Sequence, residues 1–157
     1  MGRGVPGIDR HDPVVTTMAE QWRILVVEGE ENLNWNIVNS LQKDGYLVLG
    51  ATGGAEAIRT LWSEEYDVVI CSQQMPDADG FELLQWMRTQ RDVRRIPVVV
   101  LTSSDDLPTV NSAYDAGASS YLVKPGNPHE IAKLVLAIQG YWIELNQPPQ
   151  LVMRAEK

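Results

Sequence analysis

The sequence predicts an α/β protein built on a doubly wound parallel sheet, and three observations carry that expectation. Five short apolar runs lack the polar alternation of a half-buried strand, so each is expected to be covered on both faces. Between them lie segments whose apolar residues recur at helical spacing. Each connection is a dozen or more residues long, as right-handed crossovers between parallel strands require.

The elements follow in order. "ILVV" at 24–27 reads as the first strand. A helix over about 31–43 places Leu33, Ile37 and Leu41 at i, i+4 and i+8, and Gly45 supplies its stop. "YLVLGA" at 46–51 is the second strand; Ala57, Ile58 and Leu61 mark a second helix ending near Glu65. "DVVIC" at 67–71 is the third strand. After it, Asp79 and Glu82 have the spacing of a capping box, opening a helix through Phe81, Leu84 and Met87. "IPVVVL" at 96–101 is the fourth strand, and Pro108 suits the first turn of a helix that ends at Gly117. "SYLV" at 120–123 is the fifth strand. Ile131, Leu134, Val135, Ile138 and Trp142 form the stripe of a last, long helix.

At 157 residues the chain suits one domain, expected over 21–145. Residues 1–20 read as a disordered leader or tag-like segment, with Met18 as an alternative start, and 146–157, with Pro148 and Pro149, as an extended tail. A hydrophobic fraction of 44% with 22% charged residues excludes intrinsic disorder for the whole. The net charge of −8 argues against nucleic-acid binding. No run approaches the roughly 18 apolar residues of a membrane span, and the start lacks the apolar core of a secretory signal. A cytoplasmic protein is expected. Cys71, the only cysteine, excludes an internal disulfide and reads as a small buried hydrophobe. His11 and His129 lack metal-ligand companions and are expected in solvent, and Trp35, Trp62 and Trp86 read as packing at the rim of the core.

Open parallel sheets bind ligands outside the carboxyl ends of their strands. The first strand delivers Glu28, Gly29, Glu30 and Glu31 there, the third Ser72, the fourth Thr102 and Ser103, and the fifth Lys124 and Pro125. An acidic cluster, hydroxyls and a lysine at separate strand ends point to a site for a cation and a phosphoryl group.

"ILVVEGEEN", "MPDADGFELL", "PVVVLTSS" and "GASSYLVKP" lie in the order and at the spacing of a bacterial response-regulator receiver domain, and the resemblance covers about 23–142. The closing "IQGYWIELNQPP" and the lengthened "TQRDVRRIP" connection look most like small single-domain regulators that partner bacterial phytochromes. The resemblance implies a flavodoxin-like receiver fold, (βα)5, with sheet order 2-1-3-4-5. It implies a part in two-component phosphorelay signalling, without enzyme activity. In such receivers paired acids after the first strand bind Mg²⁺, and an aspartate ending the third strand takes a phosphoryl group from a histidine kinase. A hydroxyl and a lysine contact the phosphoryl oxygens, and an aromatic on the fifth strand turns with the switch. Carried onto this chain, Glu28 and Gly29 take the acidic positions, Thr102 is the hydroxyl, Lys124 the lysine and Tyr121 the aromatic. The phosphoacceptor position falls on Ser72.

That departure has chemical consequences. Aspartyl phosphorylation needs an ionised carboxylate, whereas a serine hydroxyl is neutral and needs a base. Glu28 remains as the residual metal-site acid, and a charge pair ~4 Å apart is worth about 4 kcal/mol at an effective dielectric near 20. Losing two carboxylates beside a dication is expected to leave Mg²⁺ weakly bound or unbound. Glu30 and Glu31 read as helix N-terminal charges, with an inward reach as the alternative. Glu28 and Lys124 are expected to pair across the emptied pocket, directly or through water.

The leading reading is a receiver module lacking the acceptor Asp and the second metal-binding acid, acting through protein–protein contacts. Its partner would be a sensor histidine kinase or a downstream signalling protein, and it is expected to form a homodimer. The candidate face spans about 105–142, with Val110, Tyr114, Tyr121, Ile138, Tyr141 and Trp142; Trp142 either anchors a partner or caps its own core. One alternative is a regulator phosphorylated on Asp77, Asp79 or Ser72, although Asp79 reads as a helix cap and Asp77 as a turn residue. Another is a flavodoxin-like cofactor-binding protein, against which "EGEEN" puts acids where a phosphate would sit. A serine hydrolase would want G-x-S-x-G, which "ICSQQ" is not.

Overall fold

The computed structural model describes residues 22–104, 106–127 and 130–143. The expected leader over 1–20, the tail over 146–157, His11 and His129 lie outside them. Five strands, β1 (Arg23–Val27), β2 (Leu47–Ala51), β3 (Val68–Ser72), β4 (Val98–Thr102) and β5 (Ser120–Val123), form one parallel sheet in the order β2-β1-β3-β4-β5. Between them run α1 (Glu31–Lys43), α2 (Gly54–Ser63), α3 (Gly80–Thr89) and α4 (Leu107–Ala116), and α5 (Ile131–Ile138) follows β5. The fold class and strand order are those expected from the sequence and its resemblance.

The sheet divides the core in two. Ile24, Val26, Val68, Ile70, Val99 and Leu101 point to one face, where α1 brings Leu33, Ile37 and Leu41 and α5 brings Ile131, Val135 and Ile138. The intervening Leu25, Val27, Val69, Cys71, Val98 and Val100 point to the other, against Ala57, Leu61, Leu84 and Met87 of α2 and α3. This is why β1, β3 and β4 show no polar alternation: both sides of each pleat are covered. The edge strands depart from that expectation, since Leu49 of β2 and Val123 of β5 are exposed.

Helix ends follow local chemistry. Asp79 caps α3 by accepting from the Phe81 N–H (2.8 Å), and the Glu82 carboxylate accepts from the Asp79 N–H (3.1 Å). Asp106 caps α4 through the Thr109 N–H (2.8 Å), with Pro108 in the first turn. Gly117 closes α4 at φ +111°, a left-handed conformation open to glycine. The last helix is shorter than expected: α-helical bonding ends at Ile138, and a π-helical turn over Gln139–Ile143 carries Trp142 against the first core. Trp35 is 64% exposed, so it does not pack at the rim; Trp62 is also exposed but meets half-buried Trp86 edge to face at 5.8 Å.

One side chain ties three segments of the second face together. The half-buried Arg88 guanidinium donates from Nε and Nη2 to the Gly117 carbonyl (2.9 and 2.7 Å) and from Nη1 to the Arg94 and Ile96 carbonyls (both 2.8 Å). A Cβ on Gly117 would lie 2.7 Å from Arg88 Cγ, so glycine is required there for room as well as for backbone shape. Replacing Arg88 by methionine leaves these carbonyls without the cation and is expected to lower stability by about 2–4 kcal/mol. Arg88→Lys should recover less than half, because an ammonium cannot reproduce the fork. Urea unfolding monitored by circular dichroism checks both; a loss near zero for Arg88→Met would show that water replaces the staple.

Candidate functional site

The carboxyl ends of β1, β3 and β5 meet around one carboxylate. Glu28 directly follows β1 and is 2% exposed. Its Oε2 accepts from the Glu30 N–H (2.7 Å), while its Oε1 accepts from the Ser72 hydroxyl and lies 2.9 Å from Lys124 Nζ. The pairing of Glu28 with Lys124 expected from the sequence is therefore present as a direct ion pair, with Ser72 as its third member. Removing either charge strands its partner in a largely dry site, a cost of about 3–5 kcal/mol. Ser72 itself is 0% exposed. A protein kinase could reach its hydroxyl only after the strand end had opened.

Behind this cluster, Asn34 of α1 donates to the carbonyls of Glu28 (3.1 Å) and Ala51 (2.9 Å), bracing the ends of β1 and β2. Sequence reasoning missed it, although a polar residue beside Leu33 on the apolar face of α1 was the available signal. Glu30 and Glu31 stay exposed at the start of α1 and do not turn inward.

Gly29, which the resemblance puts at the second acidic position, faces the β3–α3 loop. A Cβ there would lie 2.9 Å from Pro76 Cδ and 3.4 Å from Met75 Cα, so the place of a side chain is filled by ring and backbone. The loop is fastened by Asp77, whose carboxylate accepts from the Gly54 N–H (2.8 Å) and the Ala55 N–H (3.1 Å). Asp77 thus caps α2 from a distance, since that helix begins after Gly53 with no side chain of its own to do so. The two backbone bonds hold the Asp77 carboxyl below the usual carboxylate range. Asp77 is more than the turn residue expected, and both candidate substitute acceptors, Asp77 and Asp79, are engaged as helix caps.

Could these residues hold a divalent cation? Mg²⁺ wants near-octahedral oxygens. The site offers one carboxylate that already serves three donors, and Pro76 packs where a side chain on Gly29 would begin. Among the described residues no three metal-ligating side chains of the His, Cys, Asp or Glu types come together. The residues present do not fit the ion.

Thr102 is buried at the end of β4; its hydroxyl donates to Gln73 Oε1 (3.0 Å) and accepts from the Ser104 N–H (3.2 Å). Half-buried Tyr121 donates its hydroxyl to the Ser104 carbonyl. Cys71 is buried behind Ser72, and burial first, then the Glu28 and Asp79 charges, push its thiol up to about 12. It is the inert hydrophobe expected.

Of the face predicted for contacts, Tyr114 and Tyr141 are exposed, and Val110, Tyr121 and Trp142 are half-buried. Ile138 is not on the surface: at 1% exposure it faces the sheet on the same stripe as Ile131 and Val135. Residue 105, where that face was expected to begin, lies outside the described residues. Exposed Leu107, Val123 and Leu136 belong to the same region and were not singled out from the sequence. A separate cavity of about 850 Å³, lined by Glu30, Leu33, Trp35, Ser103, Lys124 and Ile131 among others, opens between the start of α1 and the β5–α5 connection. No helix among the described residues is long and apolar enough to cross a membrane.

Comparison with known proteins accords with this fold. The family model of the response regulator receiver domain matches residues 24–136. The chain is 30% identical over 115 residues to the transcriptional regulatory protein GltR of Pseudomonas aeruginosa, covering 73% of this chain and 48% of that protein. It is 34% identical over 118 residues to the transcriptional regulatory protein PdtaR of Mycobacterium tuberculosis, covering 74% of this chain and 55% of that one. The chain thus spans about half the length of these two curated relatives. Among solved structures it is similar to the Mn²⁺-bound response regulator Rcp1, with TM-score 0.75 and 26% identity over 82% of this chain and 99% of that one. It also shares the fold of the phosphorylated cyanobacterial phytochrome response regulator RcpA, with TM-score 0.77 and 24% identity over 83% of this chain and 99% of that one.

Two outcomes follow from the site. Millimolar Mg²⁺ should leave the thermal midpoint unchanged, because an ion that does not bind the native state cannot stabilise it; a rise that grows with Mg²⁺ concentration would show a site after all. For Asp77, the folded-state carboxyl titrates below its unfolded value near 3.9. Its contribution is therefore present above about pH 4 and is lost as pH falls through the depressed value. Asp77→Asn should be less stable than the wild type at pH 7, and the gap should close on acidification below pH ~4, as read from urea midpoints across pH.

Proposed function

The chain belongs to the response-regulator receiver family, and we propose that it signals without being phosphorylated at the family's acceptor position. Ser72 carries this reading: it stands where the resemblance puts the acceptor aspartate, fully buried, with its proton committed to Glu28. Nucleophilic use of that hydroxyl needs a base to take the proton. Glu28 is the neighbouring candidate, but Lys124 pairs with the same oxygen. No imidazole stands among the described residues to replace it. The metal that family members use has no fitting ligand set, so no step runs through it.

A receiver of this kind acts by presenting a surface. The region of α4, β5 and α5 bears exposed Leu107, Tyr114, Val123, Leu136 and Tyr141. This apolar character supports contact with a second copy of the chain or with a signalling protein such as a sensor histidine kinase. The resemblance of "IQGYWIELNQPP" and "TQRDVRRIP" to small single-domain regulators that partner bacterial phytochromes supports a kinase of that class as the upstream partner. The net charge of −8 keeps nucleic acid off the list of direct ligands.

Intact-mass measurement after incubation with Mg²⁺ and acetyl phosphate tests the reading. The wild type should gain no phosphoryl group. Ser72→Asp, which returns a carboxylate nucleophile, is the comparison and should gain label slowly for want of a second acid near the metal position. A wild type labelled to high occupancy would overturn the proposal, and peptide mapping would then identify the residue that had taken the phosphoryl group.

A further inference from the structure

Three hydrogen bonds run in one direction from the surface strand to the pocket. The Tyr121 hydroxyl donates to the Ser104 carbonyl, the Ser104 N–H donates to Thr102 Oγ1 (3.2 Å), and the Thr102 hydroxyl donates to Gln73 Oε1 (3.0 Å). A threonine hydroxyl has one proton, and here its oxygen already accepts from Ser104. The proton therefore turns to another acceptor, and among the described residues it meets the amide carbonyl of half-buried Gln73. The Ser104 N–H polarises the Thr102 hydroxyl that it reaches, while Tyr121 holds the same residue through its carbonyl on the far side of Cα, so the link between the two is the fixed placement of Ser104.

Gln73 is well placed to be that acceptor. It follows Ser72 directly, and its backbone is fixed independently: its N–H donates to the Leu101 carbonyl (3.0 Å) and its carbonyl accepts from the Gly80 N–H (2.6 Å). The side chain thus leaves a rigid backbone and bridges β3 to β4. On the other side, the Lys124 N–H donates to the Thr102 carbonyl (2.7 Å), tying the end of β5 to the same residue.

We propose that the Gln73 side-chain amide is the internal acceptor that holds Thr102, the β4–α4 loop and Tyr121 in one arrangement, so that the surface beside Tyr121 is presented without any added phosphoryl group. Gln73 is a positioning residue: it acts through Thr102 and Ser104. An amide carbonyl built into the chain cannot be removed by hydrolysis, so the arrangement is permanent. Its use in signalling rests on the phosphorylation-independent reading above, whereas the hydrogen-bond chain itself is tested with no phosphoryl donor present.

Amide hydrogen exchange followed by NMR on the full chain is the test. Gln73→Met keeps the length of the side chain and removes the acceptor; Gln73→Glu keeps an acceptor. In Gln73→Met the Ser104 amide should exchange about tenfold faster, the factor carried by ~1.4 kcal/mol, and the Tyr121 ring resonances should shift. In Gln73→Glu both should stay near the wild type. The Ile70 and Val100 amides, paired within the sheet, should be unchanged in either variant. Ser104 exchange within about twofold of wild type in Gln73→Met would overturn the proposal. So would equal acceleration at Ile70 and Val100, since a general loss of stability moves every amide together. Either result stands apart from the acetyl phosphate experiment, which reads only the chemistry of Ser72.

Discussion

A carboxylate buried at the mouth of a parallel sheet must be neutralised and hydrogen-bonded, and the architecture around Glu28 answers that requirement. Its two oxygens receive a lysine ammonium, a serine hydroxyl and a backbone N–H, supplied by β5, β3 and the turn into α1. Three elements separated by up to 96 positions in sequence (124 − 28) are thereby fixed at one point. The energetic logic is asymmetric. The intact cluster adds little net stability over an apolar filling, because desolvation offsets the attraction, yet losing one member is expensive. Such a site constrains the relative placement of strand ends more than it stabilises the fold.

The same region has lost the freedom to admit a cation for a second reason. Pro76 and Met75 lie where a side chain on residue 29 would begin. The loop that carries them is fastened on its α3 side, by Asp77 on the N-terminus of α2 and by the capping box of Asp79 on α3. On the proposed reading chemistry and sterics act together: a serine stands where the resemblance puts the carboxylate nucleophile, and the loop fills the space where a side chain on residue 29 would begin. Restoring one carboxylate repairs only the first of these.

Much of this was legible in the sequence. Unbroken apolar runs for β1, β3 and β4, the D-x-x-E spacing at Asp79, and Pro108 and Gly117 around α4 follow from local pattern, and the pairing of Glu28 with Lys124 follows from the positions that the resemblance assigns to them. What escaped was what depends on contacts between distant segments. Asp77 looks like any turn aspartate until α2 arrives beside it, and Asn34 looks like a polar interruption until the ends of β1 and β2 need a donor. The burial of Ile138 is the reverse case. Its stripe was recognised, but the stripe that faces the core cannot also be the surface offered to a partner. The exposed apolar residues Leu107 and Leu136 belong to that surface instead, and periodicity alone does not say which face remains uncovered.

The position of Gln73 gives the degenerate site a mechanical meaning. In a sheet packed on both faces, a small shift at one strand end is resisted by close-packed side chains, so the site communicates with the surface only through groups free to choose partners. Thr102 and Tyr121 are such groups, because a hydroxyl can rotate toward whichever acceptor is available. When the acceptor is a covalent part of the chain just past β3 rather than a transferable group, the choice no longer depends on an event. On that proposal the surface beside Tyr121 has one state, and regulation would come from the amount of the protein or from competition among its partners.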